Sequence, residues 1–106
     1  MSYDTATYTD VDPAAPGMHF LRDPLDAETV GLTVLEADAG WSGMEHDHAE
    51  DDHEEIYLLL EGAATVTIEG EAVSLEPGDA VRIDPADTRS IDVDADDSLL
   101  VLAGAP

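Results

Sequence analysis

At 106 residues the chain has room for one packed core, and its 26 acidic residues face only three basic ones, Arg22, Arg82 and Arg89, with no lysine. The absence of cysteine excludes disulfides, thiolate zinc sites and a cysteine nucleophile, so the core must carry stability by itself. A net charge of −23 with no basic patch argues against direct binding to nucleic acid, because nothing is available to neutralise phosphates.

The first ten residues, Met1 to Asp10, are polar and acidic, which is neither the basic-then-apolar order of an export signal nor a membrane segment. A cytoplasmic location is the expectation. Turn signals then recur along the chain. Asp12-Pro13 through Pro16-Gly17 ends a polar arm, Asp23-Pro24 breaks the next segment, and Ala39-Gly40 closes an apolar run from Val30 to Ala37. Ile56 to Leu60 is apolar on both faces, with Ile56, Leu58 and Leu60 on one side and Tyr57 and Leu59 on the other. Its second face needs a cover: another sheet, the N-terminal arm, or a second copy of the chain. Thr65 to Ile68 and Ala72 to Leu75 alternate polar with aliphatic residues across Glu69-Gly70, the pattern of a hairpin with one wet face. Val81-Arg82-Ile83 follows Pro77-Gly78-Asp79, and Ile91-Asp92-Val93 follows Asp84-Pro85. The longest aliphatic run, Leu99 to Leu102, is far too short to span a membrane. No window sustains an apolar stripe at helical spacing, so the pattern predicts an antiparallel all-β barrel or sandwich with little helix.

The acids are interleaved with these strands instead of gathered in a tail, which makes the whole surface of a folded domain negative. Adaptation to a very salty cytoplasm explains such a surface, since like charges repel over about 30 Å at 0.01 M salt and only about 3 Å at 1 M. A nucleic-acid mimic or an acidic partner-binding face is the functional alternative.

Chemistry concentrates in residues 40–55, which hold three of the four histidines. His46 and His48 are two apart and share a face of an extended chain, and Glu55, opening the next strand, can come opposite them. Two imidazoles and a carboxylate on one wall of a barrel form a triad with open positions, suited to a divalent transition metal: Fe, Mn, Ni or Zn. His53 shares strand parity with Glu55 and is a fourth ligand or a substitute for another. With acids this abundant, the charges of residues 49–54 also read as plain solvated loop. His19 stands alone between Met18 and Phe20 and reads as a packing or surface histidine and not a ligand. Asp92 to Asp97 alternates acids like a calcium loop but carries Asp97 where glycine is required and Ala103 where glutamate is required, which excludes that reading. No serine, threonine or tyrosine has the spacing of a nucleophile elbow or triad.

The 40–62 stretch resembles the first motif of the cupin superfamily: glycine, five residues, His-x-His, a gap, glutamate, six residues, glycine. Here these are Gly40, His46, His48, Glu55 and Gly62, with a six-residue gap where the family has three or four. Gly70, Pro77-Gly78-Asp79 and Pro85 resemble landmarks of the second motif, but its ligand histidine falls on Arg89 or Ser90. The chain is most similar to small single-domain cupins of the conserved-barrel group. The resemblance implies a single domain over residues 1–106, with an arm over 1–17 and a double-stranded β-helix, or jelly-roll barrel, over 30–103. It also implies a homodimer and a site in the barrel mouth. Arg89 cannot ligate a metal but, pointing inward, favours an anionic small molecule. Arg89 and Tyr57 are therefore the candidate substrate contacts. Two functions stay open: a metal-dependent enzyme acting on a small organic molecule, and a non-catalytic binding or storage domain without a competent metal centre.

Overall fold

The computed structural model describes residues 2–106. A short 3-10 turn at Tyr8–Asp10 precedes eight strands: β1 (Met18–Phe20), β2 (Gly31–Ala37), β3 (Glu54–Glu61), β4 (Ala64–Ile68), β5 (Glu71–Leu75), β6 (Ala80–Ile83), β7 (Arg89–Val93) and β8 (Ser98–Ala105). All strand pairs are antiparallel, in a five-stranded sheet of order β1-β2-β8-β3-β6 and a three-stranded sheet of order β5-β4-β7. Among the described residues no α-helix forms, and no helix is long and apolar enough to cross a membrane.

The alternation read from sequence decides which side chains go inside. On β4 and β7, Val66 faces Ile91 and Ala64 faces Val93, all buried, while Thr65, Thr67 and Asp92 take the wet side. Leu35, Leu100, Tyr57 and Leu59 fill the facing side of the larger sheet and close the core between the two sheets. The β4–β5 hairpin turns on Glu69 and Gly70, both at positive φ (49° and 80°). That two-residue geometry matches strand twist, and Glu69 tolerates it while its carboxylate accepts a hydrogen bond from the Thr88 amide.

Two features differ from the sequence reading. β1 extends the larger sheet ahead of residue 30, pairing Met18 with Leu35 and Phe20 with Thr33. The arm packs on the β1–β2 end, where Tyr8 stacks edge-on against His19 and its hydroxyl donates to Glu36. His19 thus packs on the outer face, with Nδ1 2.8 Å from the Val11 carbonyl. The second sheet covers Tyr57 and Leu59, whereas Ile56 and Leu60 remain 45% and 44% exposed. Among the described residues, nothing covers their face.

Candidate metal centre

Residues 40–48 run beside β7 as an irregular extra strand. Ser42 bridges Asp92 and His46 bridges Arg89, with the His46 and Arg89 backbones exchanging both hydrogen bonds. The offset between these bridges shifts by one residue, so a bulge lies between them and the segment is not a regular strand. Pairing with the inward-facing Arg89 aims His46 at the barrel interior. His48 is fastened next, its amide donating to the Pro85 carbonyl. Glu55 lies on the inward face of β3 with Tyr57 and Leu59.

These placements bring one donor atom each from His46, His48 and Glu55 within 4.8 Å of one another. His46 Nε2 is 3.8 Å and His48 Nε2 is 3.3 Å from Glu55 Oε1. Two ligands about 2.1 Å from a shared metal stand roughly 3.0–3.5 Å apart, so the His48–Glu55 spacing falls in that range and the His46–Glu55 spacing lies just above it. The far ring nitrogens are occupied: His46 Nδ1 lies 3.1 Å from the Met44 carbonyl and His48 Nδ1 3.0 Å from Asp51 Oδ2. An N–H donated to each acceptor leaves both Nε2 lone pairs turned toward Glu55, the tautomer a metal requires.

Electrostatics couple the groups of the site. The Glu55 carboxylate raises the pKa of His46, partly opposed by burial. Burial alone would push Glu55 up, but His46 and Tyr57, with the charges of His48 and Arg89, outweigh it and hold the carboxyl below its ordinary value. Tyr57 is pushed far up by burial and then by Glu55, so its hydroxyl keeps its proton and donates to Glu55 Oε1 at 3.0 Å.

The other expected residues are placed as follows. Arg89, not Ser90, faces inward where the second-motif histidine is missing, and its side chain is fully buried. Nη1 donates to the Asp87 carbonyl at 2.6 Å, and Nε lies 3.3 Å from Glu55 Oε1, while Nε and Nη2 lack hydrogen-bond partners. The guanidinium sits behind Glu55 and is not a wall of the mouth cavity. His53 does not join His46 and Glu55; it stacks on His48 at 5.7 Å and belongs to a neighbouring group with His48 and Asp51. The loop between His48 and β3 supplies Asp51 behind His48. Sequence reasoning did not single out Asp51, because one acid among 26 carries no signal.

In front of the triad opens a cavity of about 770 Å³ whose walls include Met18, Phe20, Trp41, Tyr57, Ile91 and Leu102. Trp41 is fixed there by donating its indole N–H to the Pro16 carbonyl at 2.8 Å. A largely apolar chamber with its polar groups gathered at one end is the usual form of a small-molecule site.

Residues 33–104 match the cupin domain family. The chain belongs to the cupin family. No curated protein matches this cupin in sequence. Among solved structures it is similar to a cupin protein from Bacteroides fragilis, with 28% identity and a TM-score of 0.79 over 98% of this chain and 83% of that one. KdgF from a Halomonas species shares its fold at 24% identity and a TM-score of 0.75, covering 96% of this chain and 94% of the other. A putative sugar phosphate isomerase from Acidithiobacillus ferrooxidans shares it at 22% identity and 0.67, over 84% and 58% of the two chains.

Proposed function

We propose that this cupin holds one divalent transition metal on His46, His48 and Glu55 and presents it to a small organic molecule in the mouth cavity. The observation that carries the reading is the orientation of both imidazoles: each Nδ1 has its own acceptor, and each Nε2 faces the same carboxylate oxygen. A bound ion would supply Lewis acidity, polarising a ligand oxygen at the open positions. The protein's own groups prepare that place. Tyr57 donates to Glu55 and fixes its carboxylate, Arg89 offsets its charge from behind, and the aromatic and aliphatic walls limit water. With Arg89 buried next to the centre, an anionic ligand is favoured over a cationic one.

One observation favours the alternative, a binding or storage cupin without a metal: Arg89 occupies the fourth-ligand position and already approaches Glu55 at 3.3 Å. Elemental analysis of protein purified without an affinity tag separates the two. About one transition metal per chain, lost in the His46→Ala, His48→Ala double variant, is the expected result. Metal-free protein that folds normally, or full occupancy in the double variant, overturns the metal reading.

For assembly we propose a homodimer through the outer face of the larger sheet, where Ile56 and Leu60 are exposed beside half-buried Leu58, Leu99 and Val101. On a molecule of charge −23, copies repel almost everywhere, and this aliphatic face is where contact costs least.

A further inference from the structure

Inward-facing positions along β2 and β8 carry side chains such as Thr33, Leu35, Leu100 and Leu102 until the strands reach the rim. There Gly31 and Gly104 stand directly opposite each other. A Cβ at Gly31 would lie 3.6 Å from Arg22 Nη2, and one at Gly104 would lie 3.2 Å from Glu55 Cγ. The missing side chains leave a second cavity, about 310 Å³, whose walls include Arg22, Gly31, His53, Glu55 and Gly104. Phe20, Thr33, Glu55 and Leu102 border both this cavity and the larger one.

Arg22 is unusual in this chain. Arg82 is paired with Glu54 and Asp84, and Arg89 with Glu55, but among the described residues no carboxylate oxygen lies within 4.0 Å of Arg22. Among the described residues the guanidinium makes one hydrogen bond, from Nη2 to the Thr29 carbonyl at 2.9 Å, and its buried Nε has no partner. With 26 acids available, a guanidinium left without one, beside a cavity opened by two glycines, is a group held ready for an external partner.

We propose that Arg22 and the Gly31–Gly104 gap form an anion subsite that takes the carboxylate of a small organic acid, whose remainder passes Thr33 and Glu55 into the mouth cavity. The planar fork of Arg matches a carboxylate with two donors. The one guanidinium shares the cavity wall with two carboxylates, Asp23 and Glu55, which repel a phosphate dianion more than a singly charged carboxylate. The carboxylate contact stands without a metal; only the reach of the ligand's other end rests on the metal reading above.

The test follows the Arg22 Nε–H signal by NMR while sodium pyruvate or inorganic phosphate is added at one fixed ionic strength. It is done on chelator-stripped and on zinc-loaded protein. Pyruvate is expected to shift that signal saturably in both forms, and phosphate to bind more weakly. Arg22→Ala, read on other signals of the cavity, is expected to lose about tenfold or more in pyruvate affinity with zinc content unchanged. Gly31→Val, at an ordinary strand position with room for a first carbon, is expected to fold, fill the gap and abolish the shift. Unchanged affinity in Arg22→Ala, tighter binding of phosphate than of pyruvate, or no saturable shift overturns the subsite. Pyruvate binding at Arg22 in protein that takes up no zinc overturns the metal reading alone.

Discussion

Glu55 Oε1 receives the Tyr57 hydroxyl at 3.0 Å and faces His48 Nε2 and Arg89 Nε, each at 3.3 Å, and His46 Nε2 at 3.8 Å. In the metal-free protein this oxygen keeps the neighbouring positive charges company, and a metal would replace that role. The two states therefore respond oppositely to pH. The His46 pKa is raised, so its contribution to stability is present below the ordinary value of 6.5 and is lost as pH rises through the raised value. Glu55 is lowered, so its contribution is present above the ordinary value of 4.5 and is lost as pH falls through the lowered one. Between those two ordinary values both contributions are intact. Stripped protein is expected to melt at lower temperature at pH 8 than at pH 6, with the difference shrinking in His46→Ala. Zinc-supplemented protein is expected to show the reverse trend, because proton and metal compete for the same nitrogen. A stripped protein whose pH response is the same with and without His46 would remove the His46–Glu55 coupling. At this scale the grouping of His46, His48 and Glu55 was legible from spacing, and the Tyr57–Glu55 hydrogen bond was within reach because the two residues share strand parity. Arg22 was not legible. Its cavity depends on Gly31 meeting Gly104 across β2 and β8, a register that no local pattern specifies.

Among the elements, the loop between His48 and β3 positions His48, and the turn after β3 fixes the opposite end of that strand. The loop brings Asp51 to His48 Nδ1, and the Asp51 carboxyl is held below its usual range first by that contact. Losing an acceptor behind a metal-bound imidazole typically costs about 10–100-fold in metal affinity. Asp51→Ala is therefore expected to weaken zinc binding by about that factor in a competition titration, and Asp51→Asn to recover part of it. His53→Ala is expected to leave zinc stoichiometry unchanged, since His53 is outside the triad. Equal losses from Asp51→Ala and His53→Ala would instead place the ion in the His48–Asp51–His53 group. After β3, Gly62 sits at φ +87°, and a Cβ there would fall 2.7 Å from Ser98 Cα. Gly62→Ala is expected to cost more than about 1 kcal/mol in denaturant melts, from the left-handed backbone alone before the clash is added. The motif glycine was visible in sequence, but its cause was not, because Ser98 arrives from β8. The hairpins and their turn residues were legible through alternation and Gly or Pro punctuation. β1 was not, since three residues are too few to show a period.

For the whole molecule, the charge that dominates the composition and the aliphatic outer face of the larger sheet make one coupled prediction. Carboxylates spread over every other surface repel one another within a copy and between copies, over about 30 Å at 0.01 M salt but about 3 Å at 1 M. Screening therefore helps folding and pairing alike, and it does so without any new contact. Burying Ile56, Leu60 and their half-buried neighbours in a symmetric pair gains roughly 25 cal/mol per Å² of apolar surface, a term that a strongly excluded salt strengthens. In KCl rising from 0.1 to 2 M, the melting temperature is expected to climb and the sedimentation-equilibrium mass to move from one chain of 11.2 kDa toward two. Ile56→Glu puts a further negative charge on the proposed pairing face. It is expected to hold the chain monomeric at 2 M KCl while its melting temperature still rises with salt, because repulsion within the copy is still screened. A melting temperature that is flat or falls over that range would remove the halophilic explanation of the charge. A single-chain mass at 2 M KCl and micromolar concentration would leave Ile56 and Leu60 as surface residues and remove the dimer.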